Sequence, residues 1–227
     1  MPRQQGPLRV VDLGLVPYGE ALALQRETRE ARLAGRAPDT LFLLEHPPTI
    51  TLGRRSGPSD FITPRDALPG MGFEVYDTDR GGEATYHGPG QLVGYPIVAI
   101  RELGLSVPRF VELLEQTLIA CLAGLHLRAQ RREGSPGVWV GGRKIGAIGV
   151  HLKRWVSMHG FALNVCPDLK HFEAIVPCGM EDAEVTSIEA ELGRSPAMDE
   201  VKERISTSFR RAFGYGGVET EAAMTSR

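Results

Sequence analysis

Two side chains in this sequence are of the types that nucleophilic chemistry needs. Cys178 sits in the run Val-Pro-Cys-Gly, with a rigid residue before it and a glycine after it, where backbone amides can face a substrate. A thiol acts as a strong nucleophile once it is a thiolate, and a nearby cation favours that form. Lys144 is a candidate for the cation. In residues 143–152 the even positions Lys144, Gly146, Ile148, Val150 and Leu152 fall on one face of a strand, apolar apart from the lysine. A lysine there must reach water, find a partner or give up its charge. Of the 26 basic residues four are lysines (Lys144, Lys153, Lys170 and Lys202), so a lysine at this position points to a need for a compact ammonium. The plain alternatives are a strand-end lysine reaching solvent and an inert loop cysteine. Nothing in the spacing by itself brings the two residues together.

What they would act on needs a holder, and residues 80–96 read as one. The stretch RGGEATYHGPGQLVGYP has five glycines and two prolines in seventeen residues. Glycine lets backbone approach a ligand closely, and proline stiffens the turn. With the apolar run 92–100 behind it, the stretch reads as a backbone cradle leading into a buried strand, or more simply as a hairpin with a long turn. His87 within it can hydrogen-bond a substrate, while His159 sits mid-strand and can equally be a structural histidine. None of the six histidines stands at a metal-ligand spacing, so no metal is expected. There is no GxxxxGK[ST] loop and no strand-turn-helix GxGxxG, so nucleotide binding has no direct support. Cys121 falls on a helix's apolar stripe, and Cys166 ends a strand before Pro167.

The elements that position these groups follow from periodicity. Residues 8–15, 40–45, 49–53, 73–76, 92–100 and 156–165 read as strands. Residues 18–33 and 107–125 read as helices, the first with Ala21, Leu22 and Leu24 inward, the second capped by Ser106. Gly141-Gly142 between residues 137–140 and 143–152 is a hairpin signal. Residues 187–192 read as a short helix. A last helix is expected with Ser195 as cap, Pro196 at its first position and an apolar stripe of Met198, Val201, Ile205 and Phe209. Strand clusters interleaved with few helices favour an α+β class, with a mixed, largely antiparallel sheet flanked by helices.

At 227 residues and 42% hydrophobic content the chain suits one domain, 1–227, with a core over about 8–213 and 214–227 as a frayed tail. A net charge of -2 argues against nucleic-acid binding. Three cysteines without a CxxC pair, no signal h-region and no apolar run near the roughly 20 residues of a membrane span imply a soluble cytoplasmic protein.

Taken in order, RGGEATYHGPGQLVGYP, GVWVGGRKIGAIGVHLKRWVSMHGFALNV and IVPCGM resemble the lipoyl(octanoyl) transferases, over about residues 41–192. The resemblance implies the fold of the biotin and lipoate protein ligases. It implies transfer of an octanoyl group from acyl carrier protein to a lysine of lipoyl domains, those of 2-oxoacid dehydrogenase E2 subunits and of the glycine cleavage H protein. The acyl group would pass through a thioester on the enzyme. The family's nucleophile falls on Cys178 and its partner lysine on Lys144. Its substrate-binding segments fall on Arg80, Gly81, Gly82 and Glu83, continuing through Ala84, Thr85, Tyr86 and His87. Two further segments are Ala147, Ile148 and Gly149, and Gly160, Phe161 and Ala162. No cofactor is implied, and a monomer is expected.

The runner-up is an ATP-dependent lipoate or biotin protein ligase, which shares the fold and needs no nucleophilic cysteine. A non-catalytic acyl-binding protein is a third reading. Acidic partners would find Arg54, Arg55, Arg143, Lys153 and Arg154 near the motifs as a docking patch.

Overall fold

The computed structural model describes residues 6–176 and 184–222. The chain enters through strand β1 (Leu8–Leu15), helix α1 (Tyr18–Leu33) and strand β2 (Thr40–Glu45). A stiff His-Pro-Pro corner then turns it into β3 (Thr49–Leu52), followed by β4 (Glu74–Asp77), β5 (Thr85–His87) and β6 (Gln91–Ile97). Helix α2 (Val107–Ala123) leads to β7 (Ala129–Arg132), β8 (Ser135–Val140), β9 (Arg143–Lys153) and β10 (Val156–Asn164). Helices α3 (Ile188–Leu192) and α4 (Met198–Phe213) precede β11 (Val218–Ala222).

Among the described residues, eight strands form the main sheet in the order β11-β1-β2-β6-β10-β9-β8-β7, and three form a small sheet in the order β4-β3-β5. In the main sheet β1 runs parallel to β2 and β11, and the other pairs are antiparallel. The mixed, largely antiparallel α+β class expected from the sequence is what forms. Helices α2 and α4 cover one face, where Phe110, Leu114 and Leu118 meet Val201, Ile205 and Phe209 over Leu41, Leu92 and Leu163. Helix α1 covers the other face, with Ala21 packed among Phe42, Leu44, Val93 and Tyr95.

Serine side chains cap the starts of α2 and α3. Ser106 Oγ accepts from Arg109 N at 3.4 Å, and Ser187 Oγ accepts from Ala190 N at 3.1 Å. The last helix is not capped by Ser195, whose hydroxyl donates to the Pro196 carbonyl. Helix α4 begins two residues later, after an extended Ala197, and Asp199 and Glu200 supply negative charge to its first turn instead.

The structure corrects the reading of the C-terminal residues as a tail from 214. Gly214 ends α4 with a φ of 77°, and Val218–Ala222 then pair with β1 in parallel, Leu8 opposite Val218. The expected short strand 73–76 forms one residue later, and β5 and β7 escaped the periodicity because each is only three or four residues long.

One irregularity bears on function. Trp139 pairs with Lys144, but Val138 pairs with Gly146, so Ile145 is an extra residue on β9. A bulge of this kind changes the parity of the strand. Ile145 and Gly146 lie on the α2 face, Ile145 fully buried in its core and Gly146 beside Leu118 and Val138. Lys144 therefore does not share a face with Gly146, Ile148 and Val150, as strict alternation had it. It shares the opposite face with Trp139.

Phe209 stacks on Phe213 at 4.1 Å between ring centroids and is fully buried under the main sheet. Phe209→Ala is expected to destabilise the fold by about 3–5 kcal/mol. Equilibrium denaturation measures this, and a loss under about 1 kcal/mol would contradict the packing described.

Candidate active site

The flipped face of β9 carries Lys144. Lys144 is 4% exposed, its Nζ 5.2 Å from the centroid of the Trp139 ring. Its backbone is paired on the outer side: Lys144 N donates to Glu184 O at 2.8 Å, and Thr186 N donates to Lys144 O at 2.9 Å. A small cavity opens beside it between Thr85, Gln91, Ala147, Ala162, Phe172 and Val185. Cys178 lies outside the described residues. The chain on either side of it is placed, however: Val185 bridges to Lys144, and Phe172 lines the Lys144 cavity.

Thr85, Ala147 and Ala162 also line a second space, a slot between α1, the start of the glycine-rich stretch and strands β9 and β10. Ala147 pairs with Ala162, and Gly149 pairs with Gly160, so short side chains face each other along its floor. Arg80, Gly82, Glu83, Thr85 and His87 form the opposite wall. The free volume is about 50 Å³. That is room for a few waters rather than for an eight-carbon chain, so the walls must part for a ligand of that size.

Glycines set the wall's position. The backbone of residues 80–83 is tied down on both sides: Gly81 N donates to Val150 O, Arg54 N to Arg80 O and Arg55 N to Gly82 O. A Cβ at Gly53 would strike Gly82 O, and one at Gly149 would strike Gly81 O. The Arg80 guanidinium, buried at 8% exposure, donates to Thr51 O at 2.6 Å, to Thr51 Oγ1 and to Gly81 O. It clamps the loop and brings a positive charge to the slot.

A hydrogen-bonded chain ties this clamp to the lysine strand. Arg80 occupies the Thr51 hydroxyl oxygen, leaving its proton for His87 Nε2 at 3.3 Å. His87 Nδ1 donates to Gln91 Oε1 at 2.8 Å, and Gln91 Nε2 donates to Asn164 Oδ1 at 3.0 Å. Asn164 Nδ2 then donates to Thr186 O at 2.9 Å, whose own N–H is on Lys144 O. His87 is thus a neutral imidazole, and burial pushes its pKa well below the usual histidine value.

The stretch does not present every residue to the slot. Alternation along β5 turns Thr85 and His87 inward and leaves Ala84 and Tyr86 on the other side. Tyr86 packs with Phe73 and Phe172, and its hydroxyl meets His171 Nδ1 at 2.8 Å. Gly81 lines the neighbouring groove. Ile148 and Phe161 touch the slot but also pack against the α2-side core, Phe161 over the bare backbone of Gly94. The expected arginine patch does not form. Arg55 pairs with Glu83, Arg143 with Glu191 and Lys153 with Glu30. Arg143 and Lys153 stand at opposite ends of β9, about 33 Å apart at strand spacing.

Several residues of the site went unnoticed in the sequence: Tyr18, His46, Asp79 and Tyr95. His46 Nδ1 donates to Val16 O at 2.6 Å and Nε2 accepts from the Tyr95 hydroxyl at 2.9 Å. His159, on the slot wall, takes a φ of 56° in the middle of β10. Its N–H goes to Gln25 Oε1 and its Nε2 to Asp79 Oδ1 at 2.7 Å. Burial lowers the His159 pKa against the pull of Asp79, and the same hydrogen bond holds the Asp79 carboxyl well below the usual range. The signal available was a histidine set in polar-poor runs, without a spacing to link it to any partner.

Burial also pushes the His46 pKa down to about 4. Between pH 6.5 and 4 the unfolded chain then binds a proton that the folded site refuses, so stability falls as pH drops through that window. His46 should contribute about 2 kcal/mol of the loss between pH 7 and 5. Denaturation curves at the two pH values for wild type and His46→Gln test this. Equal losses in the two proteins would refute it.

Residues 17–210 match the lipoyl protein ligase A/B catalytic domain. The octanoyltransferase of Alkaliphilus metalliredigens is 48% identical over 214 residues, covering 94% of this chain and 98% of that protein. The octanoyltransferase of Mycolicibacterium smegmatis is 50% identical over 208 residues, covering 89% of this chain and 87% of its own. A bipartite lipoate protein ligase of Thermoplasma acidophilum, solved in a study that includes its E2 lipoyl domain, superposes with a TM-score of 0.74 at 15% identity. It covers 98% of this chain and 89% of that one, and shows the shared fold. On these matches, the chain belongs to the octanoyltransferases, acyltransferases of protein lipoylation built on the lipoyl protein ligase A/B catalytic domain.

Proposed function

We propose that this chain, acting as one catalytic domain, moves the octanoyl group by two thioester-level steps, with Cys178 as nucleophile and Lys144 as proton carrier. The observation that carries the reading is Lys144: a buried lysine beside a slot of small residues, its backbone paired with the residues that follow Cys178. In the first step the Cys178 thiolate attacks the donor's thioester carbonyl. The bond to the carrier thiol breaks, and the departing thiolate takes a proton from the Lys144 ammonium. In the second, the acceptor's lysine amine attacks the acyl-enzyme, gives its proton to Lys144, and the Cys178 thiolate leaves. Lysine can carry the proton both ways, and arginine cannot.

The slot takes the acyl chain, uncharged and flexible, along the Ala147–Ala162 and Gly149–Gly160 floor. The donor is octanoyl-acyl carrier protein, and the acceptors are lipoyl domains of 2-oxoacid dehydrogenase E2 subunits and the glycine cleavage H protein. Among the described residues no helix is long and apolar enough to cross a membrane.

Intact-protein mass spectrometry after mixing with octanoyl carrier protein, without ATP, tests the thioester. A hydroxylamine-labile octanoyl adduct is expected on wild type and none on Cys178→Ser. An equal adduct on both would remove Cys178 as the nucleophile, and no adduct on either, with octanoate reaching a lipoyl domain only when ATP is added, would move the reading to a ligase. Lys144→Arg is expected to lower kcat by about 10²–10⁴. A change under tenfold would remove Lys144 from the proton path.

A further inference from the structure

Tyr18 lines the slot at 1% exposure, yet its hydroxyl has no hydrogen-bond partner among the described residues. Buried polar atoms are nearly always paired, and an unpaired one calls for a ligand or an explanation. The histidines packed against its ring, His46 and His87, are committed. Tyr95 donates to His46, His46 donates to Val16 O, both nitrogens of His87 are engaged, and His159 is held by Asp79. Burial raises the Tyr18 pKa to about 12, so the group is a neutral hydroxyl, able to donate and to accept.

Its place in the slot says what it would meet. The Tyr18 ring packs on Tyr76 of β4 at 4.9 Å and on His46 at 5.3 Å. Strand β3 separates β4 from β5, which borders the Lys144 cavity through Thr85. That cavity reaches Ala147 and Ala162 but neither Tyr18 nor Tyr95. A chain with its carbonyl at Lys144 passes the alanines and glycines first and meets Tyr18 with its far carbons.

We infer that Tyr18 is a specificity residue whose hydroxyl bonds an oxygen near the far end of the acyl chain, so that the slot accepts medium-length acyl groups hydroxylated at their distal carbons as well as plain octanoyl. The inference rests on the slot being the acyl site. A plain chain leaves the Tyr18 hydroxyl unpaired or wet, whereas a distal hydroxyl completes it. The floor of the slot, Ala147, Gly149, Gly160 and Ala162, offers a chain hydroxyl no side-chain partner, and the Thr85 hydroxyl on the facing wall borders the Lys144 cavity, at the chain's carbonyl end.

The test compares kcat/KM for pantetheine thioesters of octanoate, 8-hydroxyoctanoate and 4-hydroxyoctanoate, with transfer to a lipoyl domain read by mass spectrometry. Wild type is expected to use the 8-hydroxy donor within about tenfold of octanoyl and to disfavour the 4-hydroxy donor by a further factor of about ten or more. In Tyr18→Phe the ratio of 8-hydroxyoctanoyl to octanoyl should fall about tenfold. A ratio unchanged within twofold, or a wild type that treats the 4- and 8-hydroxy donors alike, overturns the inference. The wild-type comparison decides even if the variant fails to fold. Ala147→Leu tests the slot itself: it should lower kcat/KM for all three donors. If it leaves them unchanged, the slot reading falls, and the Tyr18 inference with it. If it lowers them while the Tyr18 ratio holds, the Tyr18 inference alone is lost.

Discussion

One added residue in β9 decides which side of the main sheet carries the ammonium. Without the bulge at Ile145, Lys144 would follow the parity of Gly146 and Ile148 and point into the core under α2. There a cation has no water and no acyl slot, and it would cost far more than an apolar residue. The bulge lets Ile145 fill that core while Lys144 turns to the face of Trp139, Ala147 and Ala162. Everything else in the site is arranged around that choice. The floor of the slot has short side chains at Ala147 and Gly149, and Ala147 also lines the Lys144 cavity. The wall at residues 80–83 can approach because Gly53 and Gly149 have no Cβ.

The wall and the lysine are mechanically joined. The Arg80 clamp on Thr51, the His87–Gln91–Asn164 chain and the Thr186 amide on Lys144 O form one path across both sheets. Each link is buried and directional, so a shift at one end leaves an unpaired group at the next. The burial that keeps His87, His46 and His159 neutral serves the same rigidity, because a neutral imidazole donates at one nitrogen and accepts at the other.

Legibility in the sequence followed the range of the physics. Lys144 stood out because a charge in an apolar run is anomalous locally, and the hairpin at Gly141-Gly142 announced itself through two residues at positive φ. The bulge was invisible, since a period-2 pattern reads straight through one extra residue. Ala84 and Tyr86 were grouped with the binding segment because a motif marks a stretch, while alternation sends every second side chain elsewhere. Tyr18, His46, Asp79 and Tyr95 come from four separate elements, and only tertiary packing assembles them. The VETEA run of β11 has no strand-like apolar alternation, and what makes it a strand is the open edge of β1.

That last pairing has a consequence for how the molecule is made. Strand β1 is the first described strand and β11 the last, and they lie side by side in parallel. Loop closure over most of the chain is entropically slow to achieve, and parallel pairs form late. While a ribosome is still extending the chain, residues 218–222 do not exist, and β1 shows an unpaired backbone edge to every neighbouring nascent chain. The last described strand therefore moves the open edge of the sheet from the apolar β1 to the acidic VETEA run, and the interval before it is added is the period in which the β1 edge is open to association with copies of this chain.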